Sequence, residues 1–559
     1  MADTVTPVPS PSFSTTALLR WLDGRAYHPS LINLAVALWL LLALNGPFWQ
    51  SAWRATGGWQ SGHAAYLLTS PLFVLGIVWL ALEGLTWGAA ARPVLAVVLL
   101  ASAAANHFMT VYGVVFDRDM IANLVETHPA EAVELMGWRL WGWIAAFGAA
   151  PAWLIWHVRP HSQRLGRLLL NKALTIVLLL MALALLLVPF FQSYASLLRN
   201  HRDLRLKLVP TNLIAASHSY ARARLAIPQQ LERVGGDARR VPRADGAKPR
   251  LLLLVIGETA RAANFSLNGY PRPTNPQLAT QAELISLRQV SSCGTSTAVS
   301  LPCMFMDVGR DGYSDGMASR RESLLDVLQK AGVELLWRDN NSGCKGVCDR
   351  VPSEDLSGLR VPGLCSGDEC WDEILLNGLQ ERVDRLRGDA VLVLHMKGSH
   401  GPAYHLRVPP TFEHFKPPCQ NNQLDLCTRE SIVNAYDNTL RYTDHVLAQA
   451  ITLLRANAGR FDPALIYVSD HGESLGENGL YLHGLPYAMA PNEQTNVPML
   501  LWLPPATQRS LALNDACLRR LKDEPLSHDN LTHSVLGFLD IDTEVRRRDR
   551  DLFDRCRAS

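Results

Sequence analysis

The sequence predicts a protein with two unlike halves: a five-helix transmembrane domain over residues 1–195, and an α/β domain with a mainly parallel sheet flanked by helices over residues 249–559. Long apolar runs crowd the first 200 residues, short β-rich runs alternate with helical patterns after residue 249, and all 10 cysteines lie at or after Cys293. A net charge of +2 argues against a protein that binds polyanions along its whole chain, such as a histone-like protein. The 48% of hydrophobic residues and 15 Trp exclude intrinsic disorder.

Five apolar runs in the first half match the length of a membrane-spanning helix. They lie near residues 31–49, 65–85, 93–108, 140–158 and 174–191. About 20 residues are needed to cross a hydrocarbon core of about 30 Å, and buried helices of a soluble core are not expected to give five such runs in succession. We therefore expect a multi-pass membrane domain with an outer loop over residues 109–138.

The charged residues predict the orientation of this domain. Lys and Arg precede the first span and lie between spans two and three and between spans four and five, which the positive-inside rule makes cytoplasmic. The outer loop carries acidic residues instead: Asp117, Asp119, Glu126, Glu131 and Glu134. An odd number of spans then places the chain after about residue 195 outside the cytoplasm.

The cysteines indicate an oxidising compartment for the second half, since they fall in close sequence pairs. Nearest-neighbour pairing gives Cys293–Cys303, Cys344–Cys348, Cys365–Cys370, Cys419–Cys427 and Cys517–Cys556. Each short loop would add about 2–3 kcal/mol to stability through the entropy of loop closure. Zinc thiolates are the alternative for the second and third pairs, although no His stands near them in a finger pattern.

A basic stretch, residues 196–248, bridges the two halves. It is either a solvated linker or a segment that lies along anionic lipid headgroups, and the sequence favours neither. Beyond it, strands are predicted over residues 250–258, 333–339, 390–398, 464–472 and 497–504. Four of these five end in polar, metal-capable or catalytic residues, and open α/β sheets bind ligands at the carboxyl ends of their strands. We therefore expect the chemistry at one edge of the sheet.

Four segments carry the candidate chemistry. They contain Glu258 at a strand end, Thr297 in a turn of small residues, His395 and His400 in HMKGSHGP, and Asp470 and His471 followed by His483. Carboxylates, imidazoles and a hydroxyl together form a donor set that suits zinc. A metal would also activate a threonine hydroxyl, which is a poor nucleophile at its ordinary pKa. A helix that begins at Thr297 would direct backbone N–H groups at an attacked phosphoryl group.

Six long blocks of the sequence resemble a known family. They are VIGETARAANFSLNGYPRPTNPQL, SSCGTSTAVSLPCMF, LLWRDNNSGCKGVCD, HMKGSHGPAY, VNAYDNTLRYTD and YVSDHGESLGENGLYLHG, which span most of residues 250–497. The chain resembles the membrane-anchored phosphoethanolamine transferases that modify lipid A and give polymyxin (colistin) resistance, within the alkaline phosphatase/sulfatase superfamily. The resemblance implies a multi-pass protein of the bacterial inner membrane with its catalytic domain in the periplasm.

The resemblance also implies a role for each candidate residue. Thr297 would be the nucleophile and would take up phosphoethanolamine as a covalent intermediate. The ligands of one zinc ion, or of the first of two, would be Glu258, Thr297, Asp470 and His471. Substrate contacts would come from Asn341, Ser342, Lys345, His395, His400 and His483, and in the outer loop from Asn123, Thr127 and Glu131. Pro129 disfavours helical geometry at His128, so the outer-loop residues are not expected on one continuous helix.

The expected reaction is zinc-dependent transfer of phosphoethanolamine from phosphatidylethanolamine to a lipid A phosphate through a phospho-threonine. The expected partners are the donor lipid, the lipopolysaccharide acceptor and membrane lipids, without nucleic acid, and the expected state is a monomer. The alternatives are transfer to a core sugar of lipopolysaccharide or another glycan, a phosphodiesterase or sulfatase on the same scaffold, and a non-catalytic lipid or metal sensor. Thr297 disfavours a sulfatase, which would need a Cys or Ser that can become formylglycine.

Overall fold

The computed structural model describes residues 26–56, 64–126, 133–161, 163–201, 204–225, 230–314, 316–367 and 369–557. These residues form two compact units. Unit 1 comprises residues up to 111, residues 115–117 and residues 138–217; unit 2 comprises residues 112–114, 118–137 and 218–559. The described outer-loop residues 112–114, 118–126 and 133–137 fall in unit 2.

Each predicted apolar run of unit 1 corresponds to one helix or to two consecutive helices. The helices up to residue 224 are α1 (Pro29–Ala43), α2 (Gly46–Ala55), α3 (Ala64–Leu85), α4 (Ala91–Val111), α5 (Arg118–Glu126, in unit 2), α6 (Trp138–Ile144), α7 (Ala150–His157), α8 (Leu165–Asn200), α9 (Leu204–Lys207) and α10 (Thr211–Arg224). A π-helical turn, Ala145–Ala149, divides the fourth run between α6 and α7. Strands β1 (Ala26–Tyr27) and β2 (Arg159–Pro160) form a short parallel pair.

Fewer of the described helices than the sequence predicts are long enough to cross a membrane. Among the described residues, two helices are long and apolar enough to cross a membrane, Gly88–Val111 and Leu165–Phe190, and the bent pair α1 and α2 would give a third. Thr69–Leu85 is a shorter apolar helix. Leu165–Phe190 keeps large apolar side chains such as Leu185 exposed, as expected of a helix that faces lipid. The count of five spans stays a prediction.

Unit 2 is built on an eight-stranded mixed sheet with the order β15-β5-β14-β11-β4-β10-β6-β7. Its strands are β4 (Arg250–Gly257), β5 (Leu284–Ser291), β6 (Glu334–Asp339), β7 (Ser353–Asp355), β10 (Ala390–His395), β11 (Asp462–Ser469), β14 (Asn496–Trp502) and β15 (Leu526–Ser527). All five predicted strands lie in this sheet. Every residue of β4 is buried, because both faces of the central strands are covered.

One strand of the sheet runs against the other seven. β14 pairs antiparallel with both β11 and β5, whereas the remaining pairs are parallel. The chain leaves the carboxyl end of β11, forms the loop over residues 470–495 and enters β14 from the same edge, so β14 must run back. Residues 470–483, which carry candidate site residues, therefore lie above the carboxyl ends of the central strands.

Helices and short two-stranded sheets surround this sheet. The helices are α11 (Thr297–Met304), α12 (Gly309–Gly312), α13 (Leu324–Lys330), α14 (Leu379–Arg385), α15 (Arg429–Ala456), α16 (Asn492–Thr495), α17 (Pro505–Ser510), α18 (Asp515–Arg520) and α19 (Asp529–Phe538). The short pairs are β3 (Arg239–Arg240) with β16 (Ile541–Asp542), β8 (Cys365–Ser366) with β9 (Glu369–Cys370), and β12 (Ser474–Leu475) with β13 (Tyr481–Leu482).

Five disulfide bonds lie in unit 2. They join Cys293–Cys303, Cys344–Cys348, Cys365–Cys370, Cys419–Cys427 and Cys517–Cys556, the same pairs as the nearest-neighbour assignment. The described part of the chain has no free cysteine, so the structure offers no thiolate for zinc.

Candidate active site

The carboxyl ends of the central strands bring the predicted residues together. Glu258 follows β4, Asp470 and His471 follow β11, and His395 ends β10. Thr297 is the first residue of α11. These residues come from four separate stretches of the chain, and the parallel arrangement of β4, β10 and β11 places their ends at one edge.

Glu258, Asp470 and His471 form a buried cluster whose ligand atoms all lie within 4.8 Å of one another. His471 Nε2 lies 3.3 Å from Glu258 Oε1 and 3.4 Å from Asp470 Oδ2. Neither oxygen accepts a hydrogen bond from any described residue. His471 Nδ1 is 3.0 Å from the carbonyl oxygen of Gly472, which can only accept, so Nδ1 carries the proton. In the neutral ring Nε2 then directs a lone pair at two carboxylate oxygens, and this donor set fits a bound cation, either a proton on Nε2 or a metal ion.

The pKa shifts of the three residues also indicate that the cluster favours an added positive charge. Burial opposes protonation of His471, but the charges of Asp470 and Glu258 outweigh it and raise the pKa of His471 to about 10. Burial, helped by the nearby charge of Glu258, raises the pKa of Asp470 to about 6. Burial also opposes ionisation of Glu258, but contact with His471 lowers the pKa of this carboxyl below its usual range. The cluster therefore favours an added positive charge.

The hydroxyl of Thr297 faces this cluster. Its Oγ1 donates a hydrogen bond to Glu258 Oε2 at 2.9 Å and lies 3.3 Å from His471 Nε2. The Cys293–Cys303 disulfide spans the turn in which Thr297 lies. The hydroxyl is thus held between a carboxylate and an imidazole, at the start of a helix whose first N–H groups have no partner within the helix.

Of the three other histidines, His395 lies deepest. It is fully buried, and its Nδ1 is 2.9 Å from Asp339 Oδ2. Burial opposes both charges, but each partner favours the other, so the pKa of His395 is raised and that of Asp339 is lowered to about 2. The ring of His483 lies 4.4 Å from that of His471 and 5.6 Å from that of His400, measured between centroids.

A buried carboxylate orients His483. Glu473 Oε2 lies 2.8 Å from His483 Nδ1, and Glu473 Oε1 accepts a hydrogen bond from the Tyr404 hydroxyl at 2.6 Å. Glu473 is fully buried, whereas the His483 side chain is partly exposed. The contact fixes the proton on Nδ1 and makes Nε2 the nitrogen available for chemistry. Sequence reasoning did not assign a role to Glu473 or Asp339, although both lie inside the matched blocks.

Asn341, Ser342 and Lys345 lie in the loop after β6, and Asn341 contacts the cluster. The Asn341 amide donates to Glu258 Oε2 and to the carbonyl oxygen of Met396, both at 2.9 Å, and its Oδ1 accepts from Ser342 N at 2.7 Å. Lys345 Nζ lies 3.2 Å from Ser342 Oγ. The structure therefore gives the polar atoms of Asn341 protein partners, while the substrate roles of all three residues stay predictions.

The outer loop contributes one described candidate residue. Asn123 lies on α5, which packs against α11. A Cβ added at Gly484, next to His483, would lie 3.7 Å from Asn123 Nδ2, so this amide is close to the site. Thr127 and Glu131 lie outside the described residues.

Fold and site together define a class of protein. A membrane unit is joined to a sheet of the alkaline phosphatase/sulfatase type, whose carboxyl edge carries a buried metal-type cluster and a facing hydroxyl. Two family models agree: residues 250–541 match the sulfatase family, and residues 72–225 match the phosphoethanolamine transferases EptA/EptB.

Individual relatives cover almost the whole chain. Phosphoethanolamine transferase EptA of Escherichia coli (strain K12) is 42% identical over 549 residues, 95% of this chain and 98% of that protein. Phosphatidylethanolamine transferase Mcr-1 of Escherichia coli is 36% identical over 544 residues, again 95% of this chain and 98% of that protein. The integral membrane lipooligosaccharide phosphoethanolamine transferase A (EptA) of Neisseria meningitidis matches the structure with a TM-score of 0.91 at 34% identity, covering 96% of this chain and 100% of that one. The chain therefore belongs to the phosphoethanolamine transferase family.

Proposed function

We propose that the chain transfers phosphoethanolamine from phosphatidylethanolamine to a phosphate of lipid A through a phospho-threonine at Thr297. The convergence of the Thr297 hydroxyl with Glu258, Asp470 and His471 carries this proposal. A hydroxyl 2.9 Å from a carboxylate and 3.3 Å from an imidazole is placed to act as a nucleophile. The names of the relatives support the transferred group, and the name of Mcr-1 supports the donor lipid.

Zinc is the metal that we propose for the cluster. Glu258, Asp470 and His471 would hold it, and Thr297 would complete a four-coordinate set of oxygen and nitrogen ligands. A bound zinc ion would lower the pKa of the threonine hydroxyl and neutralise charge that develops on the transferred phosphoryl group. Activity should be lost after metal removal by a chelator and return with zinc; full activity in metal-free protein would contradict the assignment.

The residues support a two-step reaction. In the first step Thr297 Oγ1 releases its proton to solvent and attacks the phosphorus of phosphatidylethanolamine, the bond from phosphorus to the diacylglycerol oxygen breaks, and that oxygen leaves with a proton. His483 can supply this proton from Nε2, since Glu473 holds its Nδ1. In the second step an oxygen of the lipid A phosphate attacks the phosphorus, the bond to Thr297 Oγ1 breaks, and the hydroxyl is restored by a proton from solvent.

The remaining candidate residues are proposed to hold the substrates. His400 and His483 would contact phosphate oxygens or a second zinc ion, and with a second zinc ion on His483 the leaving-group proton would come from solvent. Ser342 and Lys345 would contact the donor phosphate. A multi-pass unit in the bacterial inner membrane, with unit 2 in the periplasm, would keep both lipids near the site. Added ethanolamine groups would reduce the negative surface charge and so weaken the binding of polymyxin.

Mass spectrometry of lipid A from a polymyxin-sensitive strain that expresses the chain tests the proposal. We expect added phosphoethanolamine with the wild type and with a control variant at the surface, Thr280→Ala, and none with Thr297→Ala. Addition to the core oligosaccharide alone would indicate a sugar acceptor, and release of free phosphoethanolamine without any modified lipid would indicate a hydrolase. Unmodified lipid A in every strain would refute the proposal.

A further inference from the structure

A buried arginine joins three separate parts of unit 2. Arg407 follows a short helical turn, and only 2% of its side chain is exposed. Its Nε donates to the carbonyl oxygen of His400 at 3.0 Å, its Nη1 pairs with Glu369, and its Nη2 donates to both oxygens of Glu134 at 2.7 and 2.6 Å. One guanidinium therefore contacts a candidate site loop, the β8–β9 hairpin and the outer loop.

The charges around Arg407 are balanced. Glu369 also accepts from Lys397 Nζ at 2.9 Å, so two carboxylates face two cations. A planar guanidinium that binds a carboxylate through both oxygens fixes angle as well as distance, which a lysine in the same place would not do. Buried ion pairs add little net stability, because desolvation of the charges offsets their attraction. We therefore assign these groups a role in positioning.

The contact with Glu134 is one of several that hold the outer segment, here defined as residues 118–126 and 133–137. At its far end, a Cβ added at Gly137 would lie 1.6 Å from Gln423 Nε2, so the backbone there packs directly on that side chain. Just before it, the carbonyl oxygen of Tyr112 accepts a hydrogen bond from Tyr481 N at 3.0 Å. The outer segment is thus held beside the loop that carries His483, and Asn123 lies on it.

We propose that Arg407 is a positioning residue that fixes the outer segment and the His400 loop relative to each other. This inference rests on the proposed function, in which His400 contacts the donor phosphate and Asn123 contacts the lipid headgroup. The ring of His400 lies 5.6 Å from that of His483, and a Cβ added at the next residue, Gly484, would lie 3.7 Å from Asn123 Nδ2, so one lipid headgroup is proposed to contact both. One guanidinium holds the outer segment and the His400 loop in a fixed relative position. Less conformational entropy is therefore lost when the lipid binds.

Kinetics of the purified full-length chain separate positioning from simple stability. The variants are Glu134→Gln and Arg407→Lys, with Glu354→Gln as the matched control, because Glu354 pairs with buried Arg338 at 3.0 Å on the edge strand β7. Two substrates are used: fluorescent phosphatidylethanolamine in mixed micelles, and a water-soluble p-nitrophenyl phosphodiester. For Glu134→Gln we expect KM for the lipid to rise about tenfold with little change in kcat, and the soluble ester to be cleaved at the wild-type rate.

Arg407→Lys should raise KM for the lipid as Glu134→Gln does and also slow cleavage of the soluble ester, since the His400 carbonyl loses its donor. The double variant should be no worse than Arg407→Lys alone, because both changes break one contact. Additive effects, equal losses on both substrates with Glu134→Gln, or an unchanged KM would overturn the proposal.

Hydrogen exchange tests the coupling without any turnover. In Arg407→Lys, amide exchange should rise in residues 118–126 and also in residues 396–402, and should stay at the wild-type level in Glu354→Gln. Faster exchange confined to residues 118–126 would contradict the coupling. A wild-type chain without transferase activity would refute the proposed function, and the exchange data would still decide the role of Arg407.

Discussion

Replacement of Asn341 by alanine should weaken zinc binding rather than lipid binding. The Asn341 amide donates to Glu258 Oε2 at 2.9 Å, and its other proton goes to the carbonyl oxygen of Met396. The residue is buried, with 7% of its surface exposed. Its side chain therefore orients a candidate zinc ligand, whereas the family resemblance implies a substrate contact.

The size of the effect follows from the hydrogen bond that is lost. A buried hydrogen bond to a charged acceptor contributes about 1.5–3 kcal/mol. Because about 1.4 kcal/mol corresponds to a tenfold change in an equilibrium constant, the dissociation constant for zinc should rise about 10- to 150-fold. The known cost of losing an outer partner of a metal ligand, about 10- to 100-fold, is of the same order.

Competition with a chromophoric chelator measures this constant on the purified full-length chain. Ser342→Ala is the matched control: it is the next residue, and its Oγ lies beside Lys345 Nζ at 3.2 Å. We expect Ser342→Ala to bind zinc as the wild type does and to raise KM for the donor lipid. Thermal unfolding of both variants with zinc bound checks that the loop is still folded.

The opposite pattern would refute this reasoning. If Asn341→Ala bound zinc with the wild-type constant and raised only KM for the lipid, the amide would serve the substrate. The substrate role that the family resemblance implies for Asn341 would then be correct. The hydrogen bond from Asn341 to Glu258 would belong to the lipid-free state of the protein.

Three further predictions test other parts of unit 2. Glu473→Gln should lower kcat about 10- to 100-fold, because His483 loses the carboxylate that orients it; steady-state kinetics measures this. Gly398→Ala should lower the melting temperature and abolish transfer, since φ is +55° and the added Cβ would lie 2.6 Å from the carbonyl oxygen of Glu258. Burial opposes the ionisation of Asp326, but hydrogen bonds from its arginine partner outweigh this and lower its pKa. The stability that Asp326 contributes should therefore be present above its unfolded pKa of about 3.9 and be lost as the pH falls below that value. Unfolding curves measured between pH 7 and pH 3 test this, and the Asp326→Asn variant should not show this loss.

The central strands were predictable because their signal is local. β4 is the apolar run RLLLLVIG, whose length and flanking polar residues leave little choice of structure. β5 was missed, because LISLRQVS alternates exposed and buried residues and is less apolar. The direction of β14 was not predictable either: its residues suit a buried strand in both directions, and only the loop before it decides which edge it enters.

The candidate site was predictable as far as residues stand at strand ends. Glu258, Asp470 and His471 each follow a recognisable strand, and a parallel sheet gathers such ends. Their partners give no such signal. Asp339 binds His395 from a neighbouring strand, and Arg407 binds Glu134 across 273 residues of sequence. Such pairs depend on which loops the fold brings together, and no local pattern records that.

The distance between the proposed nucleophile, Thr297, and the candidate metal cluster depends on a residue that belongs to neither. His528 Nδ1 accepts a hydrogen bond from Cys293 N at 3.0 Å, and its Nε2 donates to the carbonyl oxygen of Ser469 at 2.9 Å. Burial lowers the pKa of His528 to about 3, so the ring stays neutral and can donate with one nitrogen while it accepts with the other. One rigid ring therefore spans the start of the Thr297 turn and the end of β11.

This arrangement explains why the Thr297 turn, residues 293–303, can hold the Thr297 hydroxyl in place. The turn is fixed at its start by His528 and across its length by the Cys293–Cys303 disulfide. Asp470, next to Ser469, is fixed by the same ring. A reacting group must be held to within about 0.5 Å for efficient transfer, and flexible loops do not reach this alone. His528 and the disulfide therefore help to hold the Thr297 hydroxyl and Asp470 in the geometry that the proposed transfer needs.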